Sequence, residues 1–204
     1  MAALRITHEE GLSALTVRRL CAELSVGAPT VYYHAGSMQE LYELVSDAVI
    51  AQIEVPLEGS WQDRVIDLVA RTRAIFARHP GVAAFVNGHH PLPAAIGLAD
   101  ATIGILLEEL DHSTALTAYH VITVYNMGQM LIDGAETASK GRPVNPTFLP
   151  HGKSPARYRS LSEVRSVTGH LDPGDTHLQG LRWILFGARH NSRLPEEEGT
   201  LTGD

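Results

Sequence analysis

Tyr32, Tyr33 and His34 stand side by side in the stretch SVGAPTVYYHAGS, residues 25 to 37, just after Gly27, Ala28, Pro29 and Thr30. These residue types suit contact with a polyanion. A tyrosine ring can lie on a sugar or a thymine methyl while its hydroxyl donates to a phosphate. A histidine can donate to a second phosphate, and Thr30 can bond a phosphate or a base edge. Gly27 and Ala28 would let such a surface approach closely. An exposed aromatic pair is costly unless something covers it. Successive helical residues point about 100° apart, so both rings cannot face one core. The pattern by itself leaves two readings open: a helix that reads DNA, or a plain helical hairpin in which Tyr32 packs inward and Tyr33 is half-exposed.

The elements that must position these residues are short helices. Ala2 to Glu10 forms a first piece, ended by Gly11. Thr16 can N-cap a second helix that carries Val17, Leu20, Cys21 and Leu24 at helical spacing. Val26-Gly27 makes a tight turn, and Pro29 suits the first turn of a third helix running to about His34. Ser37 to Glu40 reads as a capping box for a fourth helix, 37–54, with Leu41, Leu44, Val45, Ala48 and Val49 on one face. Two short helices joined by a turn containing Gly match a helix-turn-helix, whose second helix enters the major groove of DNA.

The segment LTVRRLCAELSVGAPTVYYHAGSMQELYELV, Leu15 to Val45, resembles the N-terminal helix-turn-helix of the TetR family of transcriptional repressors. The features carrying the likeness are the Thr opening the second helix, the Leu-x-x-x-Leu-x-Val-Gly turn, the Pro-Thr-hydrophobic-Tyr-aromatic-His block and the Ser opening helix four. ARHPGVA resembles the family's loop after helix five, and HLQGLRWILFGAR resembles the closing dimerisation helix of the tetracycline-repressor-like subgroup. The resemblance implies that Thr16, Arg18, Thr30, Tyr32, Tyr33 and His34 touch DNA. Arg19, Gly27, Ala28, Pro29 and Ser37 complete the candidate DNA-binding set. Arg18 is the side chain of helix two expected to reach a base or phosphate. Gly27 and Ala28 stand where the family often has longer reading side chains, so base discrimination is expected to be thin or to lean on DNA shape. Met38 replaces a usual lysine, and the first helix begins almost at Met1, where the family carries a basic arm. A reading frame extending upstream of Met1 is therefore an expectation.

The fold expected is all-α: a three-helix reading head over residues 1–45, then a larger helical ligand-binding and dimerisation body over 46–204. Pro56 and Gly59 punctuate the end of helix four. Ser60 caps a long helix ending at His79-Pro80-Gly81; Val82 to Val86 and Pro91 to Leu110 follow. A long apolar helix starts at Ser113 or Thr114 and runs through Leu131, reaching about 138. A loop over 140–155, helices over 155–169 and 173–190, and a polar tail from Asn191 close the chain. Polar and aromatic residues that interrupt apolar faces are the candidate pocket lining: His79, Phe85, Asn87, Tyr119, Tyr125, Asn126, Gln129, Met130 and Asp133. The resemblance implies an effector small molecule that moves helix four and spreads two reading heads. His89 and His90 are adjacent, lack metal-ligand spacing and are read as loop residues, so no metal or cofactor is expected. Leu178, Leu181, Ile184, Leu185 and Ala188, with Gly180 and Gly187, form a stripe on the last helix. With the helix of 114–138, that stripe is the candidate for a two-fold four-helix interface, its alternative being intramolecular core.

Composition bounds the rest. The 204 residues are 44% hydrophobic, enough for a sizeable core, and carry a net charge of −7. The first 50 residues hold Arg5, Arg18 and Arg19 against Glu9, Glu10, Glu23, Glu40, Glu43 and Asp47, so DNA affinity is expected to be modest and strongly salt-dependent. No run of 18 apolar residues suggests a membrane span, and no signal peptide is expected. The single cysteine, Cys21, fits a reducing cytoplasm. No nucleophile-base-acid set or Gly-rich phosphate loop points to an enzyme. The expected partners are an operator DNA duplex, a small-molecule effector and a second copy of the chain. The alternative function is a small-molecule-binding helical dimer with weak or lost DNA binding.

Overall fold

The computed structural model describes residues 1–138 and 172–192; every regular element among them is a helix, and no strand occurs. The loop expected over 140–155, the helix over 155–169 and the tail beyond 192 lie outside the described residues. In chain order the helices are α1 (Ala2–Glu10), a 3-10 turn (Leu12–Ala14), α2 (Val17–Leu24), α3 (Ala28–Ala35) and α4 (Met38–Ile50). The body adds α5 (Trp61–Ala77), α6 (Val82–Asn87), α7 (Pro93–Leu106), α8 (His112–Ala138) and α9 (Pro173–Asn191).

Local chemistry sets most of the starts. Thr16 Oγ1 accepts from Arg19 N–H at 3.1 Å, Ser37 Oγ from Glu40 N–H at 3.1 Å, and Ser60 Oγ from Asp63 N–H at 3.2 Å. Each satisfies one of the donors a helix leaves open at its first turn. Asp172 does the same for α9, accepting from Gly174 and Asp175 N–H at 2.8 and 3.1 Å.

Several boundaries differ from expectation: α4 ends at Ile50 rather than 54, and α7 begins at Pro93 rather than Pro91. The α7 helix stops at Leu106, four residues early. The chain turns there because Leu110 is buried and the Glu108 carboxylate is drawn back to Arg64, 2.6 Å away. The α8 helix starts at His112, not Ser113 or Thr114, because Asp111 caps it, accepting from Thr114 N–H at 2.9 Å. That bond, with a second from the Ser192 hydroxyl, holds the Asp111 carboxyl well below the usual carboxylate range.

The head core is Ile6, Leu12, Leu15, Leu20, Val31, Ala35, Leu41, Val45 and Val49. It is continuous with the body core, in which α8 packs on α5, α7 and α9. Besides the covalent path through α4, head and body meet at the α5–α6 corner. Leu12 N–H donates to Pro80 O at 2.8 Å, and His8 lies against buried His79. Gly11 and Gly81 hold φ of 86° and 90° there; a side chain on Gly11 would press on Pro80 O and one on Gly81 on Leu12.

The stripe assigned to the dimer interface is corrected. Leu181 and Leu185 are buried within the protomer, against α5 and α8. A side chain on Gly180 would collide with the Tyr125 ring and hydroxyl, so this glycine admits an intramolecular neighbour rather than a partner helix. The outer face of α9 carries exposed Trp183 and Phe186 instead.

Candidate functional site

Two regions gather the residues singled out above. The first is the outer face of α2 and α3. Ser25 takes a left-handed φ of 55°, which ends α2 and swings the chain through Val26 into Gly27, the N-cap of α3. Val31 and Ala35, four apart, are buried and fix the rotation of α3. That rotation leaves Gly27, Ala28, Pro29, Thr30, Tyr32, Tyr33 and His34 exposed. Tyr32 is 47% exposed and Tyr33 85%, so neither ring serves the core, and the inward-packed Tyr32 of the hairpin reading does not occur. Tyr33 and His34 meet edge to face, their ring centres 5.1 Å apart. Thr16 and Ser37 are spent on helix caps, and Ser37 also donates to the Glu40 carboxylate at 3.0 Å.

The arginines divide. Arg19 is held by Glu10 at 2.7 Å and Glu23 at 2.9 Å, and Arg5 by Glu9 and Glu23. Arg18 is exposed and is the one arginine of residues 1–50 with no ion pair. The sequence puts Arg18 first and keeps Arg19 in the candidate set. Of the two acids that hold Arg19, Glu23 is its i+4 neighbour on α2, whereas Glu10 comes from α1, nine residues back, a pairing that helix spacing does not report.

The second region lies inside the body. A cavity of about 150 Å³ is lined by α5, α7 and α8, with Ile50 from the last turn of α4 and Val86 from α6. Tyr119, Asn126 and Met130 of the candidate set line it. The other candidates are not brought to it, which corrects the expectation of a single shared pocket. His79 is buried at the head–body corner with Nδ1 2.8 Å from Ile75 O. Phe85 stacks on His89 at 3.9 Å and meets Tyr42 edge-on at 5.7 Å, while Asn87 is exposed. His89 and His90 follow the end of α6, in the loop expected. Tyr125 faces α9, donating to His177 O at 3.2 Å and stacking on that ring at 4.6 Å. Gln129 donates to Asp133 at 2.8 Å, and Asp133 pairs with Arg73 at 2.7 Å. This polar group borders a separate crevice of about 400 Å³ between the head and α5, α6 and α8; Phe76 and Met130 are the wall it shares with the cavity.

Sequence reasoning missed three residues that join these regions. Tyr42 of α4 donates to Leu15 O at 3.1 Å, clamping α4 to the entrance of α2. Asp47 of α4 accepts from Ala94 N–H at 2.7 Å, capping α7 from a different helix. Arg73 reaches Asp133 across 60 residues. Each bond is long-range and leaves no spacing signal in the sequence.

Comparison with known proteins places this geometry. Residues 1–45 match the model for "Bacterial regulatory proteins, tetR family". An HTH-type transcriptional regulator of Saccharopolyspora erythraea is 30% identical over 88 residues, which are 42% of this chain and 37% of that one. The class E tetracycline repressor protein of Escherichia coli is 28% identical over 97% of this chain and 91% of its own. Among solved structures, the Streptomyces coelicolor TetR family protein ActR in complex with actinorhodin superposes with a TM-score of 0.76. It shares 26% identity, over 94% of this chain and 95% of that one.

Proposed function

The chain belongs to the tetR family of bacterial regulatory proteins, and on that premise we propose that it is a ligand-responsive transcriptional repressor. In this reading residues 1–45 form the DNA-reading head and 46–204 the ligand-binding and dimerisation body. Two copies pair, and each α3 enters the major groove of one operator half-site. The observation that carries the reading is the Thr30, Tyr32, Tyr33 and His34 face, set outward by buried Val31 and Ala35. None of these rings is buried in the protomer, and their donors suit a phosphate backbone. Arg18, free of intramolecular acids, supplies the charged contact from α2.

The cavity between α5, α7 and α8 is the effector site. Its occupant touches α7 through Ala95, Leu98 and Ala99, and α4 through Ile50. The α4 helix is bonded at one end to the head through Tyr42 and near the other to α7 through Asp47. Expanding the cavity would shift α7 and drag α4, changing the spacing of the two reading heads. The related structure with actinorhodin bound supports a small organic molecule as the trigger.

A second reading is favoured by one observation. With Arg5 and Arg19 neutralised, the head offers a single unpaired arginine, which suits a ligand-binding dimer with weak DNA affinity. Anisotropy titration of a labelled duplex from upstream of the chain's own gene separates the two, with scrambled duplex as competitor. The repressor reading expects competitor-resistant binding that weakens steeply between about 50 and about 200 mM salt. Equal affinity for own and scrambled DNA would select the second reading.

A further inference from the structure

The cavity wall is mostly apolar, with Val65, Leu68, Leu98, Ile122 and Met130 among its residues. Of its polar side chains, Thr72 donates to Leu68 O and Thr102 to Leu98 O, both at 2.7 Å, while Thr123 is exposed and Tyr119 half-buried. No carboxylate, lysine, arginine or histidine is among the lining residues. The nearest ion pair, Arg73 with Asp133, borders the adjoining crevice instead. Asn126 lines the cavity, is only 8% exposed, and its Oδ1 is buried without a hydrogen-bond partner.

These facts constrain the occupant. A buried acceptor without a donor is costly, so a molecule that donates to it is favoured over one that does not. A charge would enter a site with no counter-ion and lose its hydration. An apolar cavity of about 150 Å³ accommodates a single aromatic ring. We infer that the cavity takes a small, uncharged, mainly apolar molecule that donates one hydrogen bond to Asn126 Oδ1, a phenol-like compound rather than an acid or a metal chelate. This inference rests on the reading of the cavity as the effector site.

Phenol, toluene and benzoate are the probes, titrated into the full chain by calorimetry. The comparison is diagnostic because a partnerless apolar cavity would prefer toluene, whose methyl carries no hydration to lose. Phenol is expected to bind about tenfold tighter than toluene, the scale of one bond to an orphaned acceptor, and benzoate not at all. Asn126→Leu keeps the volume and removes the acceptor, so it is expected to reverse the order of phenol and toluene. If that variant does not fold, the order in the unaltered chain decides alone. Toluene equal to or tighter than phenol, benzoate matching phenol, or no binding of any probe would overturn the inference. The DNA titration is independent: loss of sequence preference there would overturn the repressor reading and leave the ligand order standing.

Discussion

His177 is the residue whose chemistry is least at ease in the fold. It is 1% exposed, neither ring nitrogen has a hydrogen-bond partner, and its ring lies flat on Tyr125. Burial pushes its pKa down; Arg73 adds to that, and Asp133 opposes it. The folded protein therefore holds His177 neutral where the unfolded chain, with an ordinary value of about 6.5, takes up a proton. Stability contributed by the neutral ring is fully present above about pH 6.5 and is lost progressively as pH falls from that value toward the lower pKa of the folded state. Melting temperature followed from about pH 7.5 to about pH 5.5 should fall more steeply for the unaltered chain than for His177→Phe, which keeps the stack and cannot titrate. Parallel slopes would show that His177 is protonated in the folded state. Sequence patterning gave no warning of this residue. A histidine near the start of an amphipathic helix reads as surface until the tyrosine from α8 is known to cover it. By contrast Tyr33 was legible, because adjacent aromatic residues on one short helix cannot both be core.

At the scale of elements, α4 carries the proposed signal. Its legible part was its capping box and apolar face. Its illegible part was Asp47, which looks like an ordinary solvent-facing acid and instead caps α7, 47 residues on. A carboxylate at a helix N-terminus satisfies an open donor and complements the helix dipole. Asp47→Ala should therefore lower the free energy of unfolding in urea by about 1 kcal/mol, the usual cost of a lost cap. No change would mean the bond contributes nothing in solution, and the proposed link between cavity and lever would lose its main contact. The same limit explains the helix ends. The caps Thr16, Ser37, Ser60 and Asp172 were read correctly, whereas Asp111 was passed over for Ser113 or Thr114, and the end of α7 is set by Arg64 and Glu108, 44 residues apart.

For the whole molecule, the last helix shows why a stripe in sequence is ambiguous. α9 has apolar residues on two faces, and periodicity cannot say which is turned toward its own protomer. The structure spends Leu181 and Leu185 inside, so charging Leu181 should unfold the chain rather than split a dimer. Trp183, 69% exposed, and Phe186, 74% exposed, remain outside, and α8, which packs on α9, also carries exposed Leu116 and Val124. Rings this exposed mark an association surface. In light scattering, Phe186→Asp together with Trp183→Glu should give a folded monomer. A dimer of unchanged mass would put the interface elsewhere.

The central claim is that the outer face of α3 reads DNA. Its most direct test compares the unaltered chain with Tyr33→Ala and Arg18→Ala on the same own-gene duplex, with thermal melting recorded in parallel. Both side chains are exposed, so both variants should melt as the parent does while binding the duplex at least tenfold more weakly. Undiminished binding by both, or a collapse of folding in either, would contradict the assignment of this face.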